Sequence, residues 1–208
     1  MVEKSINAFP VETWAVSFSP SGQEVASTAK TGNVNLWDIE SGEKKRVYEP
    51  NGKFSMSLAY SPDGRLLATG AIDGIVSVFS AGEGKRLHAI QKHASAVRGL
   101  TFSADGKYLL TASDDMHVHI YDAEHANIVS SLSGHASFVL SVASDPQMRY
   151  FATGSSDKSV KFWDFRTREC VNTFTEHQDQ VWSVSFDDEG KRLVSVSDDK
   201  SIVLYSIN

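Results

Sequence analysis

Apolar and polar residues alternate along this chain in runs too short for helices. The clearest runs are Val16-Ser17-Phe18, Leu58-Ala59-Tyr60, Leu100-Thr101-Phe102 and Val184-Ser185-Phe186, with Val142-Ala143-Ser144 as a weaker companion. Alternation of period two puts the apolar residues on one face of an extended chain, so each run predicts a strand with one buried face. Turn sequences follow: Ser19-Pro20-Ser21-Gly22, Ser61-Pro62-Asp63-Gly64, Ser103-Ala104-Asp105-Gly106 and Asp187-Asp188-Glu189-Gly190. Proline presets the φ of a turn, and glycine takes the positive φ that closes it. Asp145-Pro146-Gln147-Met148 occupies the corresponding place in the fourth repeat without a glycine, which predicts a different turn there. Second strands are predicted at 66–69, 108–111 and 150–153, followed by tight turns holding Asp73-Gly74, Asp115-Met116, Asp157-Lys158 and Asp199-Lys200. A third strand ends on an aromatic residue, and a loop such as Glu40-Ser41-Gly42 leads to a fourth, as at 87–90 and 171–174. Sustained helical periodicity is absent from the sequence.

The whole pattern recurs every 42 residues, and Trp37, Phe79, Tyr121, Trp163 and Tyr205 mark it with equal gaps. A four-stranded unit has two apolar faces and cannot bury both alone; stacking such units radially around an axis covers them. A period of about 40–45 residues closing on Trp-Asp, as at Trp37-Asp38 and Trp163-Asp164, is the mark of a β-propeller. The expected fold is therefore all-β, a propeller in one domain over 1–208, with repeats at about 12–49, 54–91, 96–133, 138–175 and 180–208. The fifth repeat ends just after its third strand. Residues 4–7 fall in the register of a fourth strand, because Arg46 lies 42 positions after Lys4.

Composition narrows the class without naming an activity. Of the 208 residues, 41% are hydrophobic and 22% charged, the balance of a soluble globular protein. The net charge of −6, with acids and bases interspersed, argues against a nucleic-acid footprint. A single cysteine, Cys170, cannot form an internal disulfide, reads as an incidental strand thiol and favours a reducing compartment. With no long apolar run and no apolar leader in the sequence, the expected location is the nucleus and cytoplasm.

His93, His135 and His177 keep the same beat, each 22 residues before an aspartate (Asp115, Asp157, Asp199) and 20 before a serine (Ser113, Ser155, Ser197). A hydrolase assembles Ser, His and Asp once, beside an oxyanion hole. Three equivalent copies in successive repeats read instead as scaffolding. At these residues the chain resembles the WD-repeat family, in which His, Ser/Thr, Asp and Trp form a buried hydrogen-bonded network within each blade. The resemblance implies such a network from His135, Ser155, Asp157 and Trp163 in repeat four. Repeats three and five match it with His93, Ser113, Asp115 and Tyr121, and with His177, Ser197, Asp199 and Tyr205. Repeat two keeps Asp73 but has Asn51 and Ala71, and repeat one, with Ala29 and Thr31, keeps Trp37 alone.

No catalytic residue, cofactor or metal site is expected. His117 and His119 alternate on a strand and read as solvent-facing, and no cysteine pair has metal-ligand spacing. Asp114-Asp115 and Asp198-Asp199 each give one acid to the network, and the glycines belong to turns rather than to a phosphate loop. A better lead is the column Trp14, Met56, Arg98, Leu140 and Trp182, near the start of each first strand. Trp, Met and Arg are common at interface hot spots, and in WD-repeat proteins this column tends to lie near one mouth of the channel, where peptides bind. Packing between blades is the competing reading for the tryptophans.

Several less generic stretches carry a narrower likeness. They include Asn7-Ala8-Phe9-Pro10-Val11-Glu12-Thr13-Trp14, Gly70-Ala71-Ile72-Asp73-Gly74, Ser155-Ser156-Asp157-Lys158-Ser159-Val160-Lys161 and His177-Gln178-Asp179-Gln180-Val181-Trp182. These resemble the family of WD-repeat subunits of the Ski complex. That likeness implies a non-enzymatic scaffold binding the helicase and helical-repeat subunits of the Ski mRNA-decay assembly, and subunits of the RNA polymerase II-associated Paf complex. Direct contact with nucleic acid, membrane or a small-molecule substrate is not implied. Members of that family have seven blades, so the expectation is their C-terminal five; a closed five-bladed ring is the alternative. The competing function is a peptide-reading adaptor, such as a ubiquitin-ligase substrate receptor, which needs a basic cluster at one mouth where only Arg98 stands.

Overall fold

The computed structural model describes residues 5, 6, 8, 12–50 and 53–207, and their regular structure is entirely β-strand. Five antiparallel sheets follow one another along the chain, each ordered in space as in sequence. The first blade is β1 (Thr13–Phe18), β2 (Glu24–Ala29), β3 (Val34–Asp38) and β4 (Lys44–Tyr48). The second is β5 (Ser55–Tyr60), β6 (Leu66–Ala71), β7 (Ile75–Ser80) and β8 (Arg86–Gln91), and the third is β9 (Val97–Phe102), β10 (Tyr108–Ser113), β11 (His117–Asp122) and β12 (Ile128–Ser133). The fourth comprises β13 (Val139–Ser144), β14 (Tyr150–Ser155), β15 (Val160–Asp164) and β16 (Cys170–Phe174). The fifth has three strands among the described residues, β17 (Val181–Phe186), β18 (Arg192–Ser197) and β19 (Ile202–Ser206). First strands of consecutive blades lie side by side, β1 by β5, β5 by β9, β9 by β13 and β13 by β17, which is the arrangement of a WD-repeat β-propeller.

Each of the three middle blades buries two different faces. Its rear face packs on the blade before it and its front face on the blade after it. The interface between blades two and three shows the rule: Ala68, Val76, Val78 and Ile90 of the front face meet Val97, Leu100, Phe102, Leu109 and Tyr121 of the next rear face. Leu110, Val118 and Ile120 meet Val142, Phe151 and Trp163 in the next interface, and Ala152, Val160 and Phe162 meet Val184, Leu193 and Tyr205 in the one after. Among the described residues the core is thus four repeats of one seam between sheets.

Two local features differ from the sequence expectation. The turn at Asp145-Pro146-Gln147-Met148 keeps the geometry of its counterparts. The Met148 N–H donates to the Asp145 carbonyl at 2.9 Å, as Gly64 does to Ser61 at 2.9 Å, and Met148 accepts a φ of 56° in place of glycine. Neighbouring hydrogen bonds hold the turn: the Asp145 carboxylate accepts from the N–H groups of Gln147 and Arg149. Of the fourth strand expected at 4–7, Lys4 and Asn7 lie outside the described residues, and Ser5 and Ile6 belong to no strand.

Close approach of blades requires glycine at Gly70. A Cβ there would lie 2.5 Å from both the Ser57 hydroxyl and a methyl of Val97 in the next blade. The same column holds Val196 in blade five, where the side chain is 37% exposed. Gly70→Val is therefore expected to cost about 1–3 kcal/mol by overpacking. Val196→Ala should change stability by no more than about 0.5 kcal/mol. Urea midpoints of the two variants, compared with the parent chain, check this contrast.

Candidate functional site

The three histidines come from the loops that enter β9, β13 and β17, and each ring is buried on the rear face of its blade. In blade four, His135 Nδ1 lies 2.8 Å from Asp157 Oδ2, and its Nε2 lies 2.7 Å from Thr153 Oγ1. The indole Nε1–H of Trp163 donates to the same Thr153 oxygen at 2.9 Å. An ionised carboxylate only accepts, so Nδ1 carries a proton toward Asp157. With a neutral ring, Nε2 accepts the threonine hydroxyl, and that oxygen accepts from the indole. Every polar atom in the chain Trp–Thr–His–Asp is then satisfied by its neighbour.

Blades three and five repeat the arrangement. His93 reaches Asp115 at 2.8 Å and Thr111 at 2.8 Å, while His177 reaches Asp199 at 2.9 Å and Ser195 at 2.7 Å. The aromatic end differs. Tyr205 OH lies 3.1 Å from Ser195 Oγ, whereas Tyr121 OH pairs with His119 Nδ1 at 2.8 Å.

The hydroxyl on the histidine is therefore not Ser113, Ser155 or Ser197. Those serines lie two residues further along the same strand face and accept the backbone N–H of Asp115, Asp157 and Asp199 at 3.0–3.1 Å. Ser113 and Ser197 also donate to the carbonyls of Ser95 and Asp179, stapling the turn to the entering loop. A signal for the correct column was present: Ser27, Thr69, Thr111, Thr153 and Ser195 carry a hydroxyl in all five repeats, while the other column breaks at Ala29 and Ala71. The correction reaches blade one, where Trp37 Nε1 donates to Ser27 at 2.9 Å, so more than the tryptophan remains there.

His119 also departs from expectation. It is buried, and its ring stacks on that of His93 with centroids 4.0 Å apart and planes within 10°. Burial, with the neighbouring His93, pushes the His119 pKa down to about 4. The His93 pKa is lowered too, by burial that outweighs the pull of Asp115. Burial would raise the Asp157 carboxyl, but hydrogen bonds from His135, Ser159 and the Ala136 N–H prevail and hold it well below the usual carboxylate range. The chemistry available to these groups is proton-ordered cross-bracing beneath a neighbouring blade, with no exposed nucleophile in any of the three networks.

The column Trp14, Met56, Arg98, Leu140 and Trp182 has a shared structural cause. Each residue falls where the pairing of its first strand with the second slips by one, at a β-bulge. A bulge re-aims the side chain it carries. Outcomes nonetheless diverge. Trp14 and Trp182 are 64% and 45% exposed, whereas Met56 and Leu140 are buried against their surroundings and offer no contact surface. Arg98 is committed to Asp114 through Nε and Nη2 at 2.8–3.0 Å. Sequence reasoning missed three exposed neighbours at the same end of the blades: Ile72 and Met116 in the turns between second and third strands, and Phe138 in a loop entering a first strand. These turns and loops meet directly, as where Ser156 N–H donates to the Phe138 carbonyl and Ile72 N–H to that of Phe54. Among the described residues, no group of three or more His, Cys, Asp or Glu side chains is placed to hold a metal.

Five stacked antiparallel blades, three of them braced by His–Asp pairs, define a WD-repeat β-propeller. The family model described as IFT122 first beta-propeller matches residues 11–206, and the chain belongs to that family of propeller domains. It is also similar to WD repeat-containing protein SL1-17 of Schistosoma mansoni, with 36% identity over 56 residues. That match spans 27% of this chain and 19% of the relative's length.

Two predictions follow the hydrogen-bond order. Thr153→Val removes the oxygen shared by His135 and Trp163 at nearly constant shape and strands two buried groups, so it should cost about 2–4 kcal/mol. Ser155→Ala should cost less, about 1 kcal/mol, because only turn contacts are lost; chemical denaturation of both variants reads the difference. The folded pKa of His119 is depressed, so its contribution is present above the unfolded value of about 6.5 and is lost as pH falls toward about 4. The melting temperature should fall across that window, and His119→Phe should flatten the fall.

Proposed function

We propose that the chain is a non-catalytic protein-interaction scaffold whose contact surface is the rim formed by the entering loops and the turns between second and third strands. The observation that carries this is the gathering of Trp14, Ile72, Met116, Phe138 and Trp182, all large, apolar and exposed, at that one end of the blades. Tryptophan is enriched among interface hot spots and methionine at interfaces generally, and a cluster of such side chains at one rim marks a contact surface. At the opposite rim, polar turns close on themselves, as Ser61 and Asp63 do at 2.6 Å. WD-repeat propellers generally act through protein contacts rather than catalysis, and the three His–Asp pairs here are spent inside the blades.

The narrower reading is a subunit of the Ski mRNA-decay complex and of the Paf transcription elongation complex, present in the cytoplasm and nucleus. Its support is the likeness of the non-generic stretches to WD repeat-containing protein 61, the WD-repeat subunit of the Ski complex. The net charge of −6 fits contacts with protein subunits better than with RNA. The peptide-reading adaptor loses ground because its basic residue, Arg98, is already neutralised by Asp114.

Affinity purification of the tagged chain followed by mass spectrometry tests the proposal. Helicase and helical-repeat subunits should be recovered with the parent chain, and about tenfold less with Phe138→Ala/Trp182→Ala at an unchanged melting temperature. Recovery of ligase subunits, or full binding by the double variant, would overturn it.

A further inference from the structure

Three of the four seams carry an arginine across them at the end of the blades away from the rim. Arg46 Nη1 donates to the Ala81 carbonyl of the next blade at 3.1 Å and also to that of Gly82. Arg149 Nη2 reaches the Gly190 carbonyl at 2.6 Å, and Arg168 Nη1 reaches back to that of Val129 at 3.4 Å. The seam between blades two and three, flanked by a blade on either side, has no arginine crossing among the described residues. Its corresponding columns hold His88, Arg65 and Ala126. His88 meets the Glu124 carbonyl through Nε2 at 2.8 Å, Arg65 turns back onto Asp63 in its own turn, and Ala126 offers no side-chain donor. The Lys45–Glu24 ion pair of blade one is replaced in the same columns by Leu87 and Leu66. These exchanges leave a cleft of about 500 Å³ bordered by Leu66, Leu87, Tyr108, Asp122 and Glu124.

We propose that this cleft receives an arginine side chain from a partner protein, as a second contact surface separate from the rim. The charge of its walls fits that occupant. Arg65 pairs with Asp63 and Lys107 with Asp105, so the carboxylates of Asp122 and Glu124 are in excess along the cleft. Asp122 holds its own loop through a single oxygen, Oδ1. Leu66 and Leu87 suit the apolar stem of an arginine, and Leu87 is 42% exposed there. Tyr108 supplies a ring. Tyr150, one repeat later in the same column, already carries the Arg149 guanidinium 5.7 Å from its ring centre. A planar guanidinium can lie on a ring while its fork of donors serves a carboxylate, and a compact ammonium has neither property. The chain thus fills three of its seams with its own arginines and leaves the fourth shaped and charged for one from outside.

Titration of the isotope-labelled chain with the capped tripeptide Ala-Arg-Ala, followed by NMR, tests this. Saturable amide shifts should centre on Leu66, Leu87, Tyr108 and Glu124. The same peptide with citrulline, which keeps the shape and removes the charge, should bind about fivefold more weakly or worse. Asp122→Asn/Glu124→Gln should weaken the arginine peptide by about the same factor. His88→Arg and Ala126→Arg each supply a guanidinium from within the chain, so each should abolish the shifts with the melting temperature unchanged or raised. The rim variant Phe138→Ala/Trp182→Ala should bind the peptide as the parent does, which separates this site from the rim. Absent shifts in the parent, shifts centred on the rim, or equal binding of the citrulline peptide would each overturn the proposal. So would undiminished binding by the folded carboxamide variant or by both arginine variants.

Discussion

A β-sheet of four strands with alternating side chains on both faces cannot exist alone in water when both faces are apolar. Everything in this chain answers that constraint. Val76 and Val78 point one way from their sheet, while Leu67 and Phe79 point the other way, and each set is covered by a different neighbour. Stability is therefore held in seams, and a blade is only as well covered as the two sheets beside it. Repetition at 42 residues is the sequence form of the same requirement: a seam that works once can be used again only if the side chains recur in register.

The seams are apolar, so polar groups inside them must satisfy one another. The Trp–Thr–His–Asp order does this with one donor and one acceptor per contact, and it spans the blade from its third strand to the loop entering its first. Directionality matters. The aspartate is the end that accepts from several N–H groups, so it stays ionised despite partial burial. The stacked ring of His93 at 4.0 Å adds to burial in making positive charge on His119 costly. Blade one, without the histidine, loses the link to the loop but retains the inner part, as the Trp37–Ser27 bond shows.

Architecture was more legible than the site. Period-two alternation located first strands because their apolar face is read directly, and the equal spacing of aromatics placed third strands. Fixed offsets along the repeat reveal the His–Asp pairs, but the hydroxyl that the family resemblance implies is not the one on the histidine. Thr153 and Ser155 share a strand face, so alternation cannot separate them; the depth to which Nε2 reaches decides, and only the column conserved through all five repeats within this chain hints at it. The turn at Met148 departs from the sequence expectation for a related reason. Glycine makes a positive φ easy, but a carboxylate that gathers the surrounding N–H groups can impose the same conformation on another residue.

The contact column teaches a different lesson about repeats. A bulge at the same place in each first strand gives five side chains a common launch point, yet Trp182 emerges into solvent and Leu140 does not. Register determines where a side chain leaves the backbone; its neighbours determine where it ends. Arg98 ends on Asp114 because its own blade supplies a carboxylate within reach. Features that serve the seams must recur, since each seam needs them. Features that serve a partner are free to differ from blade to blade, because a partner meets the rim once. The exposed residues at Ile72, Met116, Phe138 and Trp182 follow no single column of the repeat, which is the pattern expected of a surface shaped by something outside the blades.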